Sequence, residues 1–304
     1  MPPEYLWIPI TIFAAFAQTV RNAAQRSLTA ALGTLGATLV RFLYGLPFAV
    51  AWLFAVQFVG GYDFPALPAR YWAWVMLAAV SQIAAVALLL RVMAERNFGM
   101  GVAYSKSEII LVALFGLFFL GDPITTTTAT AIAFGTAGVI LLGPVDRAHP
   151  WRTLAAGWMS RVALYGLGSG AFFSFASIGY RGAALALEPS PFPMAAACTV
   201  LSAQIVQTVL LVGWLALRNR AALARVCVPG GMSWFAGLMG TAATAALATA
   251  MAIEPVAHVR TLALVELLFS YAVSHRIFRE KLTQLELVGV ALLVVGVVTI
   301  ALGR

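Results

Sequence analysis

Charge is scarce in this sequence. Only 10% of its 304 residues are Asp, Glu, Lys or Arg, against about 25% in an average soluble domain. Water cannot solvate a surface so poor in charge, so lipid has to be the solvent for most of it. Cysteine is scarcer still. Cys198 and Cys227 are the whole complement, they form no CxxC, and no histidine lies near them. That excludes a disulfide framework and leaves no pattern for a metal site. His149, His258 and His275 are scattered, and neither HExxH nor GxSxG occurs. An intramembrane enzyme acting on lipids would need such a constellation, so no catalytic residue and no cofactor is expected. There is no GxxxxGK[ST] either, which argues against ATP drive within the chain. Met1 to Tyr5 carries Glu4 and no positive n-region. The first apolar run is therefore read as a true span and not as a cleaved signal.

What is abundant is apolar surface: 62% of residues are hydrophobic, and the mean hydropathy is +0.93. The apolar runs are about twenty residues long or more, which is helix length and not barrel-strand length. The net charge of +8 and pI of about 10.0 could suggest nucleic acid. The Lys and Arg residues sit in short loops between apolar runs, so membrane topology explains them better. Spans are expected at 6–27, 33–57, 72–94, 100–120, 126–143, 158–184, 192–217, 232–252, 258–278 and 284–302. Gly60-Gly61, Gly121-Asp122-Pro123, Glu188-Pro189-Ser190-Pro191 and Pro229-Gly230-Gly231 supply the breaks between several of them. The longest polar break, Gly143 to Pro150, divides five spans from five.

The halves look like repeats. A shift of 158 places Glu108 on Glu266, Asp122 on Glu280, Thr125 on Thr283 and Met93-Ala94 on Met251-Ala252. Small apolar matches are cheap in this composition, but acidic ones are not, because the chain holds only 11 Asp plus Glu. An odd number of spans per half makes the halves insert in opposite orientation, which is a transporter architecture with its site near midplane. The expected fold is thus an all-α integral membrane protein of ten transmembrane helices, arranged as two inverted five-helix repeats around a central cavity. Residues 1–143 form the first repeat, 144–157 the connecting loop and 158–304 the second repeat.

The segments Gly101–Leu142 and Val259–Ile300 resemble the EamA family of the drug/metabolite transporter superfamily. Each has a small-residue-rich helix, a short acidic turn (Gly121-Asp122-Pro123-Ile124-Thr125; Arg279-Glu280-Lys281-Leu282-Thr283) and a glycine-bearing closing helix. Arg41 in Arg41-Phe42-Leu43 is similar to an arginine often carried in that family's second span, and Glu266 to a glutamate of its ninth. The chain departs from the family in having Gly121-Asp122 and Arg279-Glu280 where Gly-Glu is usual. It also has Ile109 and Leu267 where proline is frequent in spans four and nine. The resemblance implies alternating access, export or exchange of small metabolites, and termini inside the cell. The charge count points the other way. Twelve Lys and Arg residues, including Arg21, Arg26, Arg218, Arg220 and Arg225, fall on the side away from the termini, against four (Arg70, Arg181, Arg260 and Arg304) on the termini side. The positive-inside rule then places the termini outside.

Charged groups at membrane depth cost about 2.5–3.5 kcal/mol on insertion scales and usually face a cavity or a partner. Glu108 and Glu266 lead the candidates. Each is read either as a cation- or proton-binding carboxylate or as an acid that ties helices together. Helical spacing sets Tyr104 and Ser105 beside Glu108, and Ser270 beside Glu266. On a continuous helix, Lys106 and Glu108 point to different faces and do not pair. Lys106 lines the cavity or snorkels to the interface. Gln18, Arg21, Asn22 and Gln25 form one stripe, facing other helices or ending the first span early. Arg41 binds an anionic substrate group or a buried acid, or else anchors at the interface. His258 and Arg260 are expected to anchor at the interface too. Thr241 and Thr244 add hydroxyls one turn apart. Gly166, Gly170 and Ser174 at four-residue spacing mark a close helix contact, and the tryptophans mark an aromatic belt.

The expected function is a secondary transporter of the cell (inner) membrane, possible coupling to protons included. Amino acids or related zwitterions are the favoured substrates, and hydrophobic cations or drugs the alternative. A lipid-handling enzyme or a passive scaffold is the alternative of another class. The expected partners are the lipid bilayer and a small-molecule substrate, with no nucleic acid.

Overall fold

The computed structural model describes residues 5–95, 105–106, 108–121, 124–142, 161–228, 230–278 and most of 288–299. Every regular element in it is helical. In chain order these are α1 (Trp7–Leu43), α2 (Leu46–Gly60), α3 (Ala69–Glu95), α4 (Glu108–Phe115), α5 (Thr126–Leu142), α6 (Arg161–Leu185), α7 (Phe192–Arg218), α8 (Arg220–Val226), α9 (Gly231–Ile253), α10 (Val256–Leu262) and α11 (Val265–Phe278). A single π-helical turn, Gly116–Leu120, continues α4. The described parts of 288–299 are helical as well.

Four stretches are long and apolar enough to cross a membrane: Trp7–Gly60, Ala69–Glu95, Phe192–Arg218 and Gly231–Ile253. The first is not one rod. Gly33 sits at φ 71°, ψ 171°, a conformation essentially reserved for glycine. There the chain turns back on itself. The Gln25 side chain donates to the Ala37 carbonyl at 2.9 Å, although twelve residues of straight helix would hold these about 18 Å apart. Trp7–Gly60 is therefore a hairpin, with its second arm interrupted again at Tyr44-Gly45.

The helices have an inverted polarity. On α1, Ile12, Phe13 and Phe16 face outward, while Gln18, Arg21, Asn22 and Gln25 are buried. Phe58 is 78% exposed, Phe118 77% and Leu217 83%. A surface of this kind is costly in water and natural against hydrocarbon chains, so the molecule has the build of a helical membrane protein. α1 packs most extensively on α9, and α3 on α6.

Several expected spans stand within three residues of the observed helices. Residues 72–94 correspond to α3, 126–143 to α5, 192–217 to α7 and 232–252 to α9. Two differ in kind. The expected helix 100–120 is interrupted: Ser105 is helical, Lys106 stands in a turn, and helix resumes at Glu108. The expected helix 258–278 is two helices, parted at Ala263-Leu264. Neither break contains a proline. Across the second, short-range bonds from Leu264 N–H to Thr261, Glu266 N–H to Ala263 and Leu267 N–H to Leu264 take up the backbone groups that a continuous helix would have paired. α8 is an extra helix between α7 and α9, started by Asn219, whose Oδ1 accepts from the Ala222 N–H at 3.0 Å.

Candidate functional site

Both acids singled out in the sequence open a helix. Glu108 lies in the first turn of α4 and Glu266 in the first turn of α11. The helix dipole favours a carboxylate at each place. Both side chains are buried. The polar stripe of α1 meets one of them: Gln18 Nε2 donates to Glu266 Oε2 at 2.7 Å, and Asn22 Nδ2 to Glu266 Oε1 at 3.0 Å. Lys106 Nζ donates to the same Oε2 and lies 3.9 Å from Glu108 Oε1. Arg260 reaches the other acid, its Nη1 standing 3.4 Å from Glu108 Oε1 while its Nε donates to Ser177 Oγ at 2.8 Å. Ser174 Oγ donates to the Glu108 carbonyl at 3.0 Å. The result is a continuous polar chain across the bundle, from Arg21 through Asn22, Glu266, Lys106 and Glu108 to Arg260.

Two more arginines bound it. Arg21 gives both Nε (3.2 Å) and Nη2 (2.6 Å) to Asn22 Oδ1. Arg41 Nη2 donates to Thr244 Oγ1 at 2.8 Å. Both side chains cross the bare backbone of Gly240, where a Cβ would lie 2.8 Å from Arg41 Cγ and 3.5 Å from Arg21 Cδ. Several side-chain atoms here are buried without a partner among the described residues: Nη1 of Arg21 and of Arg41, Glu108 Oε2 and Ser270 Oγ.

In overall fold the chain is similar to a protein of known crystal structure, described only as "Crystal structure of protein". The TM-score is 0.64 and the identity 16%, and the similarity covers 96% of this chain and 94% of that one. No family model and no curated protein matches the chain.

The structure settles several open readings of single residues. The stripe Gln18, Arg21, Asn22 and Gln25 faces other helices, because α1 continues beyond it to Gly33. Lys106 is 4% exposed and does not snorkel; nor does Arg41, at 2%. Lys106 and Glu108 do approach each other, since the turn at Lys106 removes the helical phase that would have kept them apart. Arg260 is buried against Glu108, so it is no interface anchor. His258 bridges Glu254 Oε1 and Thr128 Oγ1, each at 2.6 Å, and packs by Trp7 at a ring distance of 6.4 Å. Trp7 is itself buried and so stands apart from an aromatic belt, unlike the exposed Trp72, Trp214 and Trp234.

Thr244 joins the cluster, but Thr241 is tied elsewhere. It donates to the Gly45 carbonyl at 3.0 Å and accepts from Gln204 Nε2 at 2.9 Å. Ser105 and Ser270 are both buried, and Tyr104 lies outside the described residues. Beyond the glycine stripe read in the sequence, α6 also meets α3 closely, at Gly179 against the Ala78 backbone and at Gly182 against Trp74. Sequence reading missed a second polar knot, in which Tyr180 OH (2.6 Å) and Gln207 Nε2 (2.7 Å) both donate to Gln82 Oε1. An amide in the middle of an apolar run was the available signal at Gln82 and Gln207. At Gly240 there was none, because its partners come from two other turns of the fold.

Proposed function

We propose that the chain is a secondary transporter that moves small metabolites across the membrane by alternating access. The observation that carries this reading is the buried charge chain from Arg21 to Arg260. Burying ion pairs is a poor way to gain stability, since desolvation offsets most of the attraction. In a membrane such groups mark substrate or ion pathways. Helices that break at the acids fit the same reading, because discontinuous helices put backbone groups and dipoles at a transport site.

Ten spans in two inverted five-helix repeats remain the proposed architecture, in the manner of the EamA-like resemblance. Its support includes the packing. Under the shift of 158, α3 falls on the stretch that includes α9, and α6 falls on the first arm of α1. The two most extensive contacts, α1 with α9 and α3 with α6, thus join elements that this shift relates. The same shift relates the acids that open α4 and α11. A duplicated and interlocked bundle has its repeat interface at this cluster, which is where alternating access needs its site.

The test is flux in proteoliposomes loaded with a pooled panel of amino acids, amines, nucleosides and sugar phosphates, with a pH gradient imposed in each direction. Mass spectrometry is expected to find one class crossing faster than in empty liposomes. Glu266→Gln, checked for monodispersity by gel filtration, is expected to abolish that flux. If no class moves under any gradient, the transport reading fails.

A further inference from the structure

Two guanidinium groups in the cluster lack an anion. Among the described residues no carboxylate lies within 4 Å of Arg21 or Arg41. Their hydrogen-bond partners are an amide oxygen and a hydroxyl, and Nη1 of each is buried with none. Exposures of 1% and 2% leave neither side chain a route to solvent. The two acids of the cluster are already engaged, Glu266 by Lys106, Gln18 and Asn22, and Glu108 by Arg260 and Lys106. Four cations, Arg21, Arg41, Lys106 and Arg260, therefore face two carboxylates. Glu254, the other buried acid among the described residues, is bound to His258.

A buried cation without a counter-charge is unfavourable, and two neighbouring arginines aggravate it. Arg41 and Arg260 stand near enough to Arg21 to repel it, against the attraction of Glu266, which Arg21 reaches only through Asn22. The arrangement is stable as a receptor for something negative. Gly240 lets the two stems lie side by side, while Asn22 and Thr244 each hold part of a guanidinium fork and leave the rest free.

We propose that Arg21 and Arg41 together bind an oxyanion, a carboxylate or phosphate group, on the molecule that this protein transports. Guanidinium forks match the two-oxygen edge of such groups. A purely cationic substrate would meet an excess of positive charge, whereas a zwitterion would bring its anionic end to the arginines. Asn22 gives the site a link to the acids, since its Oδ1 takes Arg21 while its Nδ2 donates to Glu266. An oxyanion that draws Arg21 away from Asn22 loosens one of the bonds that hold Glu266.

The inference rests on the transport reading for its substrate, so binding and flux are measured separately. The full chain in lipid nanodiscs is titrated by calorimetry with inorganic phosphate, succinate, alanine and tetraphenylphosphonium. At least one of the first three is expected to bind, and tetraphenylphosphonium is not. The phosphate and carboxylate arms tell which oxyanion is preferred. Arg21→Gln and Arg41→Gln are each expected to weaken that binding about tenfold or more, as befits the loss of a charged hydrogen-bond donor. Arg21→Lys and Arg41→Lys keep the charge but lose the fork, and are expected to fall between. They decide the matter if the glutamine variants are not monodisperse, and unchanged affinity in them then overturns the proposal. So does binding by none of the three oxyanions, or equal binding in wild type and a folded glutamine variant. Flux of the same four probes separates the two readings. Arginine-dependent oxyanion binding without any flux keeps the anion site and sinks transport. Flux of tetraphenylphosphonium alone, unaltered in the arginine variants, keeps transport and sinks the anion site.

Discussion

Lys106 stands between two carboxylates, donating to Glu266 and 3.9 Å from Glu108. Removing it leaves Glu266 with neutral amide partners in a buried place, and breaking a buried pair from one side costs about 3–5 kcal/mol. Lys106→Met is therefore expected to lower the thermal unfolding midpoint in detergent markedly. Adding Glu266→Gln to it is expected to recover part of the loss, because the uncompensated charge is then gone. Losses that simply add would mean that the two residues are not coupled. Such coupling was not legible beforehand. The sequence marks Lys106, Glu108 and Glu266 as costly residues, but the Lys106–Glu108 approach depends on a turn where uninterrupted helix was expected.

At the scale of elements, Gly33 decides the most. Without it, the apolar pattern of Trp7–Leu43 would run on as a rod of about 55 Å at the usual helical rise. Arg21 and Arg41 would then be far apart, and no shared site could form over Gly240. Any residue with a Cβ is strained at φ 71°, ψ 171°, by about 1–3 kcal/mol. Gly33→Ala is expected to destabilise the protein by that amount although its Cβ would meet nothing within 4 Å. Gly213→Ala on α7 also meets open space, but from a helical backbone, and there alanine is expected to be neutral or to stabilise by up to about 1 kcal/mol. Opposite signs for the two, read from unfolding midpoints, would separate backbone strain from packing. The hairpin was anticipated from the spacing of apolar runs. The parting at Ala263-Leu264 was not, since no proline or glycine announces it and the bonds around it come from the folded backbone.

For the whole molecule the outstanding quantity is orientation. Arg21 and Arg260 are buried and say nothing about loop charge, and they leave one from each side of the positive-inside count. On the proposed ten-span architecture the bias toward the loops opposite the termini persists, and the turn that carries Arg218, Arg220 and Arg225 is expected to face the cytoplasm. That turn has its own reporter, since Cys227 is exposed and Cys198 buried. A membrane-impermeant maleimide is expected to label Cys227 only after the cells are opened, and to label Pro2→Cys in a Cys227→Ser background in intact cells. The reverse pattern would give the orientation that the family resemblance implies.

By itself the sequence determined the solvent, the element type and most of the boundaries, because these are local. Scarce charge requires lipid, lipid requires paired backbone groups, and turn residues end the runs where they stand. It also determined which residues are costly enough to need a reason, Glu108, Glu266, Arg21 and Arg41 among them. Only the tertiary structure decided what those residues do to one another. Whether an arginine near a span end snorkels or is buried depends on which helix covers it, and Arg41 is covered by α9 through Gly240. Whether two acids remain free depends on cations brought from elsewhere in the chain, as Lys106 and Arg260 are. The excess of buried positive charge is a sum over four separate stretches of chain, so it exists only once they are packed together.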